Sequence, residues 1–238
     1  MMPAEPNAYS RQWFEFFHIG IGEARTIQEA TFVCRCAPLP DFRKLVDVCC
    51  GMGRHARALS SRGYSVTGID RDSDAIAKAR ELAGGPCYVH ADIRDYRPEP
   101  GAFDVAIVMS QSFGYFDPTT NRDVLARLAA DLRAGGRVIL DLWNQDFFAT
   151  HQGKRELKMP GGVVRESKRI AGDRLFVHLD YPDGDHEQFE WQLFSPAQMI
   201  SLAQLVGLAL LLSCTDFDMT SPTSPAKPRI QFLLERCS

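Results

Sequence analysis

The sequence predicts an α/β protein built on a doubly wound, mostly parallel sheet. Three observations carry that expectation. Between residues 45 and 142, short apolar runs of strand length alternate with amphipathic stretches of helical length. The first apolar run breaks at a glycine turn, Gly51 and Gly53, which opens straight into a helix. Acidic residues, Asp70 and Asp92, close the next two runs, and open α/β sheets bind ligands at the carboxyl ends of their strands.

Composition narrows the class. A chain of 238 residues with 45% hydrophobic content can form one domain with a substantial core. The net charge of −3 leaves no basic footprint for a large nucleic-acid surface. The N-terminal stretch has no basic segment followed by an apolar run, so no signal peptide is expected. The most apolar run, 202–212, is interrupted by Gln204 and Gly207 and is too short to span a bilayer. Seven cysteines without a CxxC pattern read as reduced thiols of a cytoplasmic protein, and no metal site is expected.

The elements follow in order. Residues 1–8, with Pro3 and Pro6, should be loose. Residues 9–17 read as an aromatic helix, with Trp13, Phe16 and Phe17 on one face; that face either packs on the core or covers a cleft. Gly20 and Gly22 make a turn. Residues 23–36 resume as a helix with Ile27, Ala30, Thr31 and Cys34 on one side, ended by Pro38 and Pro40. Residues 45–50 form the first strand and 54–61 the next helix, closed by Gly63. The turn between them lets backbone approach a ligand, and the helix N-terminus offers free N–H groups, as at the front of a nucleotide-binding unit. A dinucleotide pattern would place a third glycine where Ala56 stands. Asp47 separates the possible ligands. A buried carboxylate is costly unless paired, and it would repel a pyrophosphate but welcome a cationic amino-acid moiety.

Residues 64–70 form the second strand. Asp70, 17 residues after Gly53, stands where an acid meets a ribose diol. Asp72 and Ser73 are better placed to cap the helix that follows, 73–82, which Gly84, Gly85 and Pro86 stop. Residues 87–93 are the third strand and 103–110 the fourth. Residues 123–132 form an amphipathic helix with Val124, Leu125, Leu128 and Leu132 inward. A loop with Gly135 and Gly136 leads into the fifth strand, and Trp143 and Asn144 follow it at the ligand edge. From 153 to 194 the pattern changes to period two, and three strands with short turns are expected as an antiparallel meander. Ser195, Pro196 and Gln198 form a capping box with proline at the first helical position, for a helix reaching about Val206. The final strands are 208–217 and 229–236, with an irregular loop at 218–228 carrying Pro222, Pro225 and Pro228.

Four ordered motifs resemble those of the class I S-adenosylmethionine (SAM)-dependent methyltransferases of small-molecule type. They are Asp47 with Cys50-Gly51-Met52-Gly53, Asp70, Asp92-Ile93, and Phe103-Asp104 before its apolar run; Gly135-Gly136 before the fifth strand adds the last common one. Cys49 stands where alanine or glycine is commoner, and Ala134 where proline is usual. The resemblance implies a seven-stranded Rossmann-like sheet with its last strand reversed, and a small antiparallel β lid insertion. It divides the chain into an N-terminal helical lid segment, 1–40, a cofactor-binding core, 41–150 and 195–238, and the insertion, 151–194. It implies SAM as cofactor, S-adenosylhomocysteine as product, and no metal. It places Asp47, Cys49, Gly51, Met52, Gly53, Asp70, Arg71, Asp92, Ile93 and Ser110 at the cofactor. Within that set, Asp92 would accept from the adenine amino group and the Ile93 N–H would meet the ring. Trp13, Phe17, Tyr115, Trp143 and Asn144 are the expected substrate contacts. Residues 110–116 do not match the Asn/Asp-Pro-Pro-aromatic motif of enzymes that methylate amino groups of nucleic-acid bases, which argues against a base methylase.

The expected activity is methyl transfer to a nitrogen or oxygen of a small metabolite by in-line displacement, mainly through positioning. A hydroxyl acceptor would need a base. Tyr115, His151, His178 and His186 are candidates, none is singled out, and no catalytic residue is assigned. The expected partners are a small-molecule acceptor and, if any, a second copy of the chain, with neither nucleic acid nor membrane. Three alternatives remain open at this point: an NAD(P)-dependent oxidoreductase, a SAM-binding protein without catalysis, and a protein or RNA methyltransferase with an open charged groove.

Overall fold

The structure, a computed structural model, describes residues 7, 9–18, 21–82, 84–159 and 161–237. The stretch 1–6, with Ala8 and Gly20 of the sequence expectations, lies outside the described residues. The elements run α1 (Arg11–Trp13), a π-helical turn (Phe14–His18), α2 (Glu23–Cys36), β1 (Lys44–Val48), α3 (Arg54–Ser60), β2 (Ser65–Asp70), α4 (Ser73–Glu81), β3 (Cys87–His90) and β4 (Phe103–Val108). They continue with α5 (Pro118–Asp131), β5 (Leu132–Trp143), α6 (Gln145–Thr150), β6 (Gly153–Met159), β7 (Gly162–Ala171), β8 (Arg174–Asp180) and β9 (His186–Gln192). The last four are α7 (Pro196–Leu205), β10 (Leu208–Thr215), β11 (Asp218–Pro222) and β12 (Arg229–Arg236).

The main sheet has the order β3-β2-β1-β4-β5-β12-β10-β11. β1 pairs in parallel with β2 and β4, and β4 with β5. β12 runs antiparallel to β5 and β10, which makes it the reversed strand. Alternate side chains of the central strands point to opposite layers. Leu45, Val105 and Ile107 pack with Phe32, Leu59 and Ile76 on one face. Val46, Ala106 and Val108 pack with Leu125, Leu128 and Met199 on the other. Burial on both faces is why these strands read as continuous apolar runs. The second sheet, β6-β7-β8-β9, is an antiparallel meander with its own apolar cluster, including Val164, Leu175, Phe189 and Trp191. Among the described residues no helix is long and apolar enough to cross a membrane.

Several local expectations are corrected. The meander has four strands, because β6 carries Lys154, Arg155, Glu156 and Lys158 at an exposed edge, where no apolar alternation is needed. β11 adds an eighth strand to the main sheet inside the expected loop, paired through a register shift at Cys214 and Thr215. α5 begins at Pro118 rather than Asp123, because Asp117 caps it, accepting from Thr119 N and Thr120 N, with proline at the first helical position. The expected helix over 9–17 is one short α turn followed by a π turn. α2 buries Glu29, Ala30, Phe32, Val33 and Cys36, whereas Ile27 is 48% exposed. The capping box at Ser195 and Gln198 forms as expected.

Candidate active site

A cavity of about 360 Å³ opens at the carboxyl ends of β1, β2 and β4, a volume within the range of small-molecule sites. Its walls bring together Asp47, Cys49, Gly51, Asp70, Arg71, Asp92, Ile93 and Ser110 of the expected cofactor set, with Trp13 and Tyr115 of the expected substrate set.

The floor is the turn after β1. Cys50 N donates to Ile69 O at 3.0 Å, which carries the β1–β2 pairing past Val48 to the edge of the turn. Gly51 takes φ +53°, and the place where a Cβ would stand has no atom within 4 Å. Gly53 takes φ +75° at the N-cap of α3, where a Cβ would collide with the Tyr88 ring. Gly53 therefore shapes the turn without lining the cavity. Met52 is also outside the lining, and its carbonyl accepts from Arg57 Nη1 at 2.5 Å. Three non-glycine residues at this strand edge have left-handed backbone: Cys49 at φ 57°, Ser110 at 55° and Gln111 at 70°. Such strain costs roughly 1–3 kcal/mol per residue and collects at sites where the fold over-determines it. Asp141 of β5 supplies that determination. Its backbone accepts from Gln111 N at 2.9 Å and its carboxylate from Ser110 N at 3.1 Å. The carboxylate, fully buried, is itself held by Arg229 through two bonds and by Gln231 Nε2 at 2.9 Å.

Asp47 is 1% exposed, and its Oδ2 has no hydrogen-bond partner among the described residues. Burial pushes its carboxyl up to about 6, against the pull of the nearby His55 and Arg54 charges and the Ala56 N–H. Asp70 accepts from Gly51 N at 2.7 Å and Asp72 N at 2.9 Å, so it staples the glycine turn to the end of β2. Burial raises its carboxyl, and those two backbone bonds oppose the rise. Asp72 caps α4, accepting from Asp74 N and Ala75 N. Asp92 faces the cavity, yet its carboxylate binds Arg94 through the backbone N at 2.8 Å and the guanidinium at 2.9 and 2.7 Å. These bonds hold it below the usual carboxylate range. Arg94 in turn lies 4.8 Å from the centre of the Phe116 ring, another wall of the cavity.

The N-terminal segment closes one side. Asn7 is 3% exposed and pairs its side-chain amide with the Glu190 backbone of β9, donating to O at 2.9 Å and accepting from N at 2.8 Å. Its carbonyl accepts from Arg71 Nη2 at 2.8 Å. Tyr9 shares a hydroxyl–hydroxyl hydrogen bond with Tyr115 and stacks on Phe189 at 5.1 Å. Burial raises both phenols, Tyr115 to about 12. Tyr115 is placed by the meander: Gln192 N donates to Gly114 O at 2.7 Å, and Gly114, at φ +100°, leaves room for the Gln192 carbonyl.

Phe17, Trp143 and Asn144 stand apart from the cavity. Phe17 packs on Trp13, 5.9 Å between ring centres, within the apolar cluster of the meander. Trp143 meets Phe148 edge-on at 5.2 Å, with Lys168 and Arg229 over its ring. Asn144 is buried, caps α6 and donates to Ser224 O at 2.8 Å and Lys227 O at 2.9 Å. Of the candidate bases only Tyr115 lines the cavity. His151 stacks on Phe147 at 3.8 Å, and His178 pairs with Asp180 at 2.9 Å beside His186. Among the described residues no group of three or more His, Cys, Asp or Glu is arranged to hold a metal ion.

Sequence reasoning missed Asn7, Tyr9, Arg54 and His55 in the walls, and Glu29 behind them. Glu29 had a readable signal. It falls on the stripe of Phe32, Val33 and Cys36 at i, i+3, i+4 and i+7, where a carboxylate is out of place.

A family model described as a methyltransferase domain matches residues 45–136. The chain is 27% identical over 183 residues to trans-aconitate 2-methyltransferase of Delftia acidovorans, a match covering 74% of this chain and 68% of that one. A SAM-dependent methyltransferase from Clostridium acetobutylicum superposes with TM-score 0.78 at 14% identity, over 95% of this chain and 97% of its own. The sugar N-methyltransferase KedS8 from a Streptoalloteichus species gives 0.70 at 19% identity, over 100% and 99%. The two structural likenesses show the fold, and the family-model match spans β1 to β4 and the turn that builds the cavity floor. Over residues 45–136 the chain matches the methyltransferase domain family, and its fold is that of SAM-dependent methyltransferases.

Proposed function

We propose that this protein methylates a nitrogen of a small metabolite that enters the cavity as a neutral amine. The observation that carries the reading is the pairing of a cation-seeking floor with an aromatic wall that offers no free base. Asp47 presents a buried carboxylate oxygen without a partner among the described residues, beside a glycine turn with open space over it. That donor set fits an ammonium-bearing cofactor and would repel a pyrophosphate. When bound, SAM supplies a methyl group on sulfonium, an activated leaving group.

The chain's residues do the rest. Asp47 would receive the ammonium. Asp70, already fixed at both oxygens, keeps lone pairs for a ribose diol. Asp92 and Ile93 would bound the adenine, the carboxylate doing so only where it shares or leaves Arg94. Ser110 and Cys49, on strained backbone, would form the wall between cofactor and acceptor. Tyr9, Trp13, Tyr115 and Phe116 exclude water and enclose the acceptor, so that orientation supplies most of the acceleration. The two phenols stay neutral at physiological pH, so each can hydrogen-bond an amine without ionising. The one imidazole in the wall, His55, is tied to Glu29 at 2.8 Å and faces the cofactor turn. An amine that arrives neutral needs no base.

A carboxylate oxygen is the second reading. It too needs no base, and the Delftia relative is named for trans-aconitate. The test is to incubate the protein with methyl-labelled SAM, separately with a nucleotide-linked amino sugar, with trans-aconitate and with a fractionated extract of the source cell. Label on an amine supports the reading. Label on a carboxylate replaces it with the second. Label on protein or RNA overturns both.

A further inference from the structure

We infer that Glu29 is a positioning residue: it holds the Arg54 guanidinium away from Asp47 and so keeps one Asp47 oxygen open to a cationic ligand. The inference rests on the reading of the cavity as the SAM site. Glu29 lies on α2, outside the region 45–136 that matches the methyltransferase domain. It is 0% exposed. Oε2 accepts from Arg54 Nη1 at 2.5 Å and pairs with His55 Nε2 at 2.8 Å, while Oε1 accepts from Arg25 Nε at 2.9 Å. Arg54 is further tied to Thr26 Oγ1 of α2 at 3.0 Å and to Ser110 Oγ at 3.3 Å. Burial alone would raise the Glu29 carboxyl, but the hydrogen bonds and charges of His55 and Arg54, with the Arg25 bond, hold it well below the usual carboxylate range.

Arg54, His55 and Asp47 line the same cavity. Arg54 is largely buried, with side-chain exposure of 14%, and a buried guanidinium seeks an anion. Two anions stand within its field, Glu29 and Asp47. It is bonded to Glu29, and Asp47 Oδ2 is left without a partner among the described residues. An unpaired buried carboxylate oxygen beside an arginine is a costly arrangement unless the arginine is held elsewhere. Glu29 and Thr26 do the holding. With the Glu29 charge removed, the guanidinium would turn to Asp47 and occupy the place of the cofactor's ammonium.

The test is equilibrium binding at pH 8 of two probes: S-adenosylhomocysteine, which carries the ammonium, and 5′-methylthioadenosine, which keeps the nucleoside and lacks the amino acid. Glu29→Gln should weaken S-adenosylhomocysteine by about tenfold or more, the scale of one partly screened charge contact, and leave methylthioadenosine within about twofold. Glu29→Gln with Arg54→Met should recover most of the loss, because the competing cation is gone. Equal losses for both probes, or no recovery in the double variant, would overturn the inference and leave Glu29 a structural residue. If Glu29→Gln alone does not fold, the double variant decides: retained preference for S-adenosylhomocysteine supports the inference, and loss of that preference overturns it. A wild-type protein that binds neither probe would refute the cofactor reading itself, a different outcome from either.

Discussion

Replacing Asp70 with alanine, beside the same change at Asp72, separates ligand recognition from helix capping at adjacent turns of chain. Asp70 accepts Gly51 N at 2.7 Å and Asp72 N at 2.9 Å, so its carboxylate is fixed before any ligand arrives. Hydrogen bonds to charged groups are worth about 1.5–3 kcal/mol each. A ribose diol shared between its two oxygens gives partly redundant bonds, so Asp70→Ala should weaken S-adenosylhomocysteine by roughly 2–3 kcal/mol, or about thirty- to 150-fold. The Asp72 carboxylate is committed to Asp74 N and Ala75 N of α4. Asp72→Ala should therefore cost about 1 kcal/mol of fold stability and leave ligand affinity within about twofold. Titration calorimetry gives the affinities and denaturant unfolding the stabilities. Equal affinities in the two variants would refute the ribose role and leave Asp70 only the staple of the glycine turn.

Four further outcomes are expected. The Asp47 carboxyl, pushed up to about 6 by burial, must be ionised to hold an ammonium. Affinity for S-adenosylhomocysteine should thus fall as pH drops through about 6, while Asp47→Asn shows weak binding without that step; a flat wild-type profile contradicts the role. The same raised value means that Asp47 adds fold stability below its unfolded value and loses it as pH rises through 6, so unfolding curves of wild type minus Asp47→Asn should show that sign. Deleting residues 1–18 removes Tyr9 and Trp13 from the cavity wall and Phe16 and Phe17 from the meander cluster, not from the sheet core. The truncated protein should fold and bind cofactor more weakly, with methyl transfer slowed severely; undiminished turnover contradicts the closing role, and failure to fold assigns these residues to the core. Asn144→Ala should cost about 1–3 kcal/mol of stability, since Ser224 O and Lys227 O lose their buried donor, with unchanged ligand affinity by calorimetry.

The parallel half of the fold was legible because burial on both faces writes itself as unbroken apolar runs, and because glycine turns and caps punctuate them. Asp47, Gly51 and Asp70 were legible for the same reason: a carboxylate or glycine at a strand end is an exception that local chemistry must explain. β6 was not, since an exposed edge strand needs no apolar face and its pairing is set by β7 rather than by its own residues. The place of Trp143 and Asn144 after β5 predicts cleft residues. Position at a strand end does not say which way a side chain turns, and both turn toward α6 and the loop before β12. Asn7 and Tyr9 were hidden because their partners, Glu190, Arg71 and Tyr115, come from three distant segments. Glu29 was hidden because two of its partners, Arg54 and His55, lie on α3, although its place on the apolar stripe of α2 marked it.

The cavity should take an ammonium-bearing nucleoside and not a dinucleotide. Thermal unfolding with S-adenosylhomocysteine and, separately, with NAD tests it most directly. A ligand held only by the folded protein stabilises it by about 2.7 kcal/mol at one hundred times its dissociation constant. S-adenosylhomocysteine should raise the midpoint in wild type, and much less in Asp47→Asn, while NAD leaves it unmoved. A midpoint raised by NAD and unmoved by S-adenosylhomocysteine would contradict the account.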